Sequence, residues 1–295
     1  MKITFIVCTY SRELLFDTFK CLYSLINQDY RGSKEILLVM DKDEELYNMF
    51  NIIVPKSVNI LLNEQPGLSN ARNTGIKHAT GDIIVFIDDD AFADKQFATN
   101  LIKNYKDENV IGTAGKILPD GIPNYPEELW WIGGFTNKGY AETRCEVRNA
   151  YGCNMSFRKV VFKYIMFNAD FGRIGKKLVT CEETEFSMRA LNMFNNSKII
   201  YDPSIVVYHK VHKSRQTFMY MIKRAYYEGK SKAQINRLYN DKHNSTENTY
   251  LNFLLTKAIP KRVQWKDIIH NTKEIVSILA VIISVGIGYT VEKIK

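Results

Sequence analysis

Short apolar runs alternate with amphipathic stretches along the first two thirds of the chain. Ile3–Cys8 is apolar and stops at the polar loop Thr9-Tyr10-Ser11-Arg12, which predicts a first strand. From Glu13 to Asn27 the apolar residues fall at 15, 16, 19, 22, 23, 25 and 26, a helical spacing. Ile36–Met40, ending at Asp41, and Val58–Leu62 predict two more strands. Leu68–Ala79 predicts a helix stopped by Thr80-Gly81. Ile83–Ile87, all apolar and rich in β-branched residues, predicts a fourth strand that runs straight into Asp88-Asp89-Asp90. Strands alternating with helices predict an α/β fold, with a mostly parallel sheet covered on both faces.

The pattern changes downstream. Pro119–Gly139 mixes Pro, Gly and aromatic residues, including Trp130-Trp131-Ile132-Gly133-Gly134, and predicts a loop-rich insertion. Phe157–Phe167 and Glu182–Leu191 have helical spacing, the second with an acidic first turn that the helix dipole favours. Lys198–Tyr201 and Ile205–Tyr208 predict two short strands around Asp202-Pro203, and Thr217–Tyr239 predicts a basic helix.

Parallel sheets of this kind bind ligands at the carboxyl ends of their strands. The Thr9–Arg12 loop, Asp41 and Asp88–Asp90 all stand at such ends. Asp88 and Asp90, at i and i+2 beyond an apolar strand, suit a hard divalent cation and its phosphate ligands. Ordinary loops also hold such acids. Haloacid dehalogenase-like phosphatases use an Asp-x-Asp as nucleophile, but on their first strand and followed by Gly-Thr or Gly-Val. Here the strand is the fourth and Ala91-Phe92 follows.

Gly67-Leu68-Ser69-Asn70-Ala71-Arg72-Asn73-Thr74-Gly75, followed by Gly81-Asp82 and the strand into Asp88-Asp89-Asp90, resembles the signature of glycosyltransferase family 2. Ile6–Arg12 is similar to that family's opening strand and nucleotide loop, and Glu35–Asp41 to its second strand. Further on, Gly152-Cys153-Asn154-Met155-Ser156-Phe157-Arg158, Cys181-Glu182-Glu183-Thr184-Glu185-Phe186-Ser187-Met188-Arg189 and Asp202–His209 resemble later family segments. The resemblance implies a GT-A fold, a mixed and mostly parallel sheet between helices, with a C-terminal helical extension. It implies an inverting transferase of hexosyl or glucuronosyl type that uses Mg2+ or Mn2+ and a nucleotide-sugar donor, UDP-sugar favoured. Thr9, Tyr10, Arg12, Asp41, Arg72 and Asp88 would bind the nucleotide and donor. Asp88, Asp90 and His209 would hold the metal, with His212 as substitute for His209. Glu183 would be the general base, although the family more often has Asp there, and Glu182 is the alternative. Trp131, Gly133, Gly134, Asn154 and Met155 would meet the acceptor.

A narrower resemblance rests on Trp130–Gly134, Glu146–Gly152 and Phe171-Gly172-Arg173-Ile174-Gly175. These are similar to archaeal dolichyl-phosphate glucosyl glucuronosyltransferases and their S-layer N-glycosylation relatives. The implied acceptor is a glycan or a sugar on a polyprenyl phosphate. Two rivals stand beside this reading: a non-catalytic GT-A-like binding subunit, against which the intact Asp88, Asp90 and Glu183 speak, and a metal-dependent phosphatase.

Composition adds a location. The chain has 295 residues, enough for one sizeable domain and an appendage. Its net charge of +8 is uneven: Lys210–Lys273 holds about 14 Lys/Arg against about 4 acids. Such a block is a solvated helical face or meets an anionic partner, and the resemblance selects the anionic membrane surface and excludes nucleic acid. Ile275–Val291 is an uncharged run of about 17 residues, at the lower limit for a bilayer span, and a buried helix is the other reading. The expected organisation is a catalytic domain over 1–215, a basic helical membrane-proximal segment over 216–273 and a single-pass anchor over 274–295. The expected location is the cytoplasmic face of the cell membrane. Five cysteines without a CxxC pair exclude a disulfide framework or a zinc site and fit a reducing compartment.

Overall fold

The computed structural model describes residues 1–171, 181–239, 245–263 and 268–295. The described residues form two compact units. The first lies within Met1–Leu118, Ala141–Lys177 and Glu182–Lys210; the second lies within Pro119–Tyr140, Leu178–Cys181 and Val211–Lys295.

The first unit begins as the alternation predicts. β1 (Ile3–Thr9), α1 (Leu15–Ile26), β2 (Lys34–Asp41), α2 (Glu44–Ile53), β3 (Val58–Asn63), α3 (Leu68–His78) and β4 (Ile83–Asp88) follow in order. Asp43 caps α2, its Oδ1 accepting from the Leu46 amide at 2.9 Å. Gly67 starts α3 at φ 116°, a conformation that side chains with a Cβ rarely adopt. Beyond β4 come β5 (Ala91–Ala93), α4 (Phe97–Asn104), β6 (Val110–Asp120), β7 (Cys145–Val147), β8 (Met155–Arg158), α5 (Glu182–Met193) and β9 (Lys198–Lys210).

The sheet order is β3-β2-β1-β4-β8-β6-β9-β5, with β7 also on β9. The pairs among β3, β2, β1 and β4 are parallel. β4 with β8, β8 with β6, and β9 with both β5 and β7 are antiparallel. Both faces of the inner parallel strands are covered, so β1, β2 and β4 are mostly apolar and buried. On one face Ile3, Phe5 and Val7 of β1 join Cys21, Leu22 and Leu25 of α1 and Phe97 and Leu101 of α4. On the other, Phe86 meets Phe162 and Phe167, and both of these meet Phe186 of α5.

Two expectations are corrected. Phe157–Phe167 is not a helix. Phe157 lies in β8 across from Ile84 and Gly112, and only a short 3-10 turn, Lys159–Lys163, follows. Phe157, Phe162 and Phe167 converge on Phe186, which gives the segment an apolar period without helical backbone. The two short strands around Pro203 are one strand, β9. It pairs with β7 at 199–201 and with β5 at 207–209, so the proline falls between two partners and interrupts neither ladder.

In the second unit a 3-10 segment spans Glu127–Gly133 within the predicted loop-rich insertion. The helices α6 (Phe218–Tyr239), α7 (Ser245–Phe253), α8 (Ile259–Arg262) and α9 (Ile268–Lys293) follow, a π-turn over Leu254–Ala258 joining α7 to α8. Leu129 and Ile132 share a core with Met221 and Ala225 of α6 and Ile278 and Val281 of α9.

Candidate active site

Register brings the acidic residues to one edge of the sheet. Cys8 of β1 stands opposite Asp88 of β4, and Asp41 of β2 opposite Asn63 of β3. β8 approaches β4 antiparallel with Met155 opposite Phe86, which carries Cys153 toward Asp88. β9 approaches β5 with His209 opposite Ala91, and the Lys210 amide donates to the Asp90 carbonyl at 3.0 Å. One donor atom each from Asp88, Cys153 and His209 lies within 4.8 Å of the other two. His209 Nε2 is 3.2 Å from Asp90 Oδ1, both side chains buried.

Arg72 of α3 stands beside this cluster. Its side chain is 2% exposed, with Nη1 3.0 Å from Glu182 Oε1 and Nη2 3.7 Å from Asp88 Oδ1. The guanidinium carbon also lies 5.4 Å from the centre of the Phe167 ring. Burial opposes the charge of Arg72, but Glu182 and Asp88 outweigh it and hold the group cationic. Glu182 and Glu183 open α5, where the helix dipole favours carboxylates. Cys181, just ahead, adopts φ 72°, a conformation costly for a residue with a Cβ. Glu182 is buried against Arg72, whereas the neighbouring Glu183 is half-buried.

The electrostatics of the three aspartates suit a cation. Burial pushes the Asp88 carboxyl upward; Arg72 opposes that shift and Asp90 adds to it. Burial, then Asp90, pushes Asp89 well above the carboxylate range, and its Oδ2 is buried without a hydrogen-bond partner. A divalent ion would relieve the repulsion among these acids. Two carboxylates and an imidazole, from Asp88, Asp90 and His209, form an oxygen-rich donor set that fits Mn2+ or Mg2+. Burial also raises the Cys153 thiol well above its ordinary range, so without an ion it is protonated.

The other expected residues divide into several groups. Thr9 is buried at the end of β1, its Oγ1 3.5 Å from Thr18 Oγ1. Tyr10 is 69% exposed beyond it. Arg12 pairs with Glu45 at 2.7 Å and Asp43 at 3.4 Å on the surface. Asp41 Oδ1 accepts from Asn63 Nδ2 at 3.0 Å, and Asn63 Oδ1 accepts from Thr74 Oγ1 of α3 at 3.0 Å. Asn154 and Met155 present almost no surface. The Asn154 amide donates to the carbonyls of Lys116 at 3.1 Å and Ile205 at 3.0 Å, and Met155 is enclosed in the sheet. Trp131, Gly133, Gly134 and His212 belong to the second unit. Gly172, Arg173, Ile174 and Gly175 lie outside the described residues.

Sequence reasoning passed over Cys153, Asn63 and the pairing of Arg72 with Glu182. Cys153 did carry a signal, because it stands inside the Gly152–Arg158 segment. Asn63 ends a strand beside Asp41, but nothing local marks it.

Comparison with known proteins extends these observations. The model for glycosyl transferase family 2 matches residues 4–166. A glucosyl-dolichyl phosphate glucuronosyltransferase of Haloferax volcanii is 28% identical over 98% of this chain and 95% of its own length. A Methanococcus voltae dolichyl N-acetyl-α-D-glucosaminyl phosphate 3-β-D-2,3-diacetamido-2,3-dideoxy-β-D-glucuronosyltransferase is 25% identical over 74% of this chain and 69% of its own. Among solved structures, the mannosyltransferase PcManGT of Pyrobaculum calidifontis, in complex with GDP-Man and Mn2+, superposes with a TM-score of 0.59 at 18% identity. That match covers 95% of this chain and 86% of the mannosyltransferase. S. aureus TarS 1-349 in complex with UDP-GlcNAc gives 0.56 at 17% identity, covering 99% and 91%. The mixed sheet and its flanking helices are of the GT-A type, and the chain belongs to glycosyl transferase family 2.

Proposed function

We propose that this glycosyltransferase moves a sugar from a nucleotide diphosphate, with inversion, to a sugar carried on a polyprenyl phosphate. The carrying observation is the division of labour at the start of α5. Arg72 engages the buried Glu182, and the half-buried Glu183 that follows it on the first turn is assigned as general base.

An acceptor hydroxyl is a poor nucleophile at neutral pH. Glu183 takes its proton as attack on the anomeric carbon proceeds. One base on the far side of that carbon gives single displacement and inverted configuration. Glycoside hydrolysis would use two carboxylates flanking the bond, and Glu182 is engaged by Arg72. Arg72 also orients Asp88, which with Asp90 and His209 would hold the ion. A divalent cation there supplies Lewis-acid stabilisation of the charge that gathers on the departing diphosphate. Thr9, Tyr10, Arg12 and Asp41, on the β1 and β2 ends and the loop between, bind the nucleotide in this reading. Trp131, Gly133, Gly134, Asn154 and Met155 are assigned to the acceptor in this reading.

The names of the two archaeal relatives support the substrate class. Both are transferases of glucuronosyl-type sugars, and both names contain a dolichyl phosphate sugar. A UDP-hexuronic acid is therefore the first donor to test, and glucosyl polyprenyl phosphate the first acceptor. The enzyme works at the cytoplasmic membrane face, held by the basic segment and α9. The test incubates the purified chain with a panel of UDP- and GDP-sugars and a polyprenyl-phosphate-linked glucose. The expected product is heavier by one hexuronosyl residue. Free sugar and nucleotide without a glycolipid product, across the whole panel, would overturn the reading.

A further inference from the structure

α6 and α9 lie side by side and run in the same direction. Ser284 Oγ donates to the Ile222 carbonyl at 2.8 Å, Asn236 Nδ2 to Tyr289 Oη at 2.7 Å, and Gln234 Nε2 to Glu292 Oε1 at 3.2 Å. Their backbones touch. A Cβ at Gly229 would collide with the Val285 carbonyl, and one at Gly288 with the Tyr226 carbonyl, so only glycine permits this approach at either position. Near the end of α9, Glu292 is 5% exposed and 3.5 Å from Lys230 Nζ of α6.

The opposite side of α9 is unlike a soluble helix. Val276, Leu279, Ile283, Ile287 and Val291 fall at steps of three and four, and each is 41–60% exposed. A helix in a globular protein turns such a stripe inward. The stripe is about 22 Å long at 1.5 Å per residue, far beyond a scattered apolar side chain. Exposed Lys273 precedes it, and exposed Lys293 and Lys295 stand at its end. Asn271–Lys293 is long and apolar enough to cross a bilayer.

The partner helix decides against a crossing. Ile222 stands level with Ser284 and Tyr226 with Gly288, so the α6 residues beside the last turns of α9 include Lys223, Arg224, Glu228 and Lys230. If α9 stood upright in the bilayer, these ions would enter the hydrocarbon. Separating the helices would instead undo the glycine contact and the bonds of Glu292. An in-plane helix satisfies both halves: its apolar stripe enters the acyl boundary while charges remain in water.

We propose that α9 lies flat on an anionic phospholipid surface, stripe down, with α6 along its watery side and the chain's C-terminus on the same side of the membrane as its N-terminus. Charge complementarity names the surface. Lys273, Lys293 and Lys295 flank the stripe at headgroup level, and Lys223 and Arg237 are exposed on α6. This deepens the membrane reading given above and rests on it.

The test has two arms, both with the full chain. In the first, the purified protein is floated with vesicles of equal phosphatidylcholine and phosphatidylglycerol, beside the Ile283→Glu/Ile287→Glu double variant. The wild type is expected to float and the variant's bound fraction to fall at least about tenfold, with thermal midpoint and turnover on a short soluble acceptor retained. Wild-type protein left in the aqueous fraction, whether monomeric or self-associated by light scattering, would overturn the membrane reading itself. In the second arm, epitopes at both ends are exposed to protease in sealed inside-out membrane vesicles. Loss of both epitopes without detergent is expected. Flotation together with a C-terminal epitope protected until detergent is added would overturn the in-plane orientation alone, in favour of a span.

Discussion

The two units break the same packing rule in opposite directions. Arg72, Glu182, Asp90 and His209 in the first are charged or polar and buried. Ile283, at 60% exposed, and its neighbours along α9 in the second are apolar and exposed. Folding alone favours neither arrangement, since charges prefer solvent and branched alkyl groups prefer a core. Each departure is tolerated because something local compensates it. Arg72 has two carboxylates and an aromatic face. The α9 stripe has its opposite side fixed against α6. In the reading proposed above, the buried charge serves the chemistry and the exposed apolar surface meets a lipid phase.

The largest test of the buried half removes a carboxylate from the sheet edge. Asp88→Asn or Asp90→Asn should lower transfer at least about 100- to 1,000-fold, the scale of losing a preorganised electrostatic group. A chelator should do the same to the wild type, and Mn2+ or Mg2+ should restore it. Full activity in excess chelator would detach these residues from any metal role.

Glu182→Ala sharpens the comparison through stability. It leaves Arg72 buried with one less partner, so unfolding should become easier by about 3–5 kcal/mol, read from urea denaturation. A change within about 0.5 kcal/mol, the scatter of ordinary surface substitutions, would show that the pair is not structural.

The smallest effect lies in the second unit, where Glu228 follows the rule of the first. Burial disfavours its charge, but Arg224 at 2.7 Å and Lys232 hold its carboxyl below the ordinary value of 4.5. A depressed folded-state value adds stability that is present above pH 4.5 and lost as pH falls through the folded value. Glu228→Gln should therefore be less stable at neutral pH and show a shallower loss of stability on acidification below pH 4.5. Parallel acid-denaturation curves would contradict the assignment.

The sequence was most legible where contacts are local. β1, β2 and β3 pair in chain order and β4 returns beside β1, all through short parallel connections, so each apolar run predicted its own element. The antiparallel half was less legible, because β8 finds β4 and β6, and β9 finds β5 and β7, across long separations. Phe157 belongs to both a strand and an aromatic cluster, and periodicity alone read it as helical. At the site, Asp88, Asp90 and His209 were named from their motifs, and the fold brings them together. Which glutamate meets Arg72 was not legible, because 110 positions separate Arg72 from Glu182. The apolar run near the C-terminus was plain in the sequence, but its orientation depends on α6 lying beside it.

The most direct test of the account compares Glu183→Gln with Glu182→Gln in steady-state transfer and in calorimetric binding of the UDP-sugar. Glu183→Gln should lose about 100- to 10,000-fold in kcat with donor affinity retained, as for a general base that acts in the chemical step. Glu182→Gln should lose less in kcat and more in stability. The reverse pattern, with Glu182→Gln inactive but stable and Glu183→Gln still turning over, would contradict the division of labour at the start of α5.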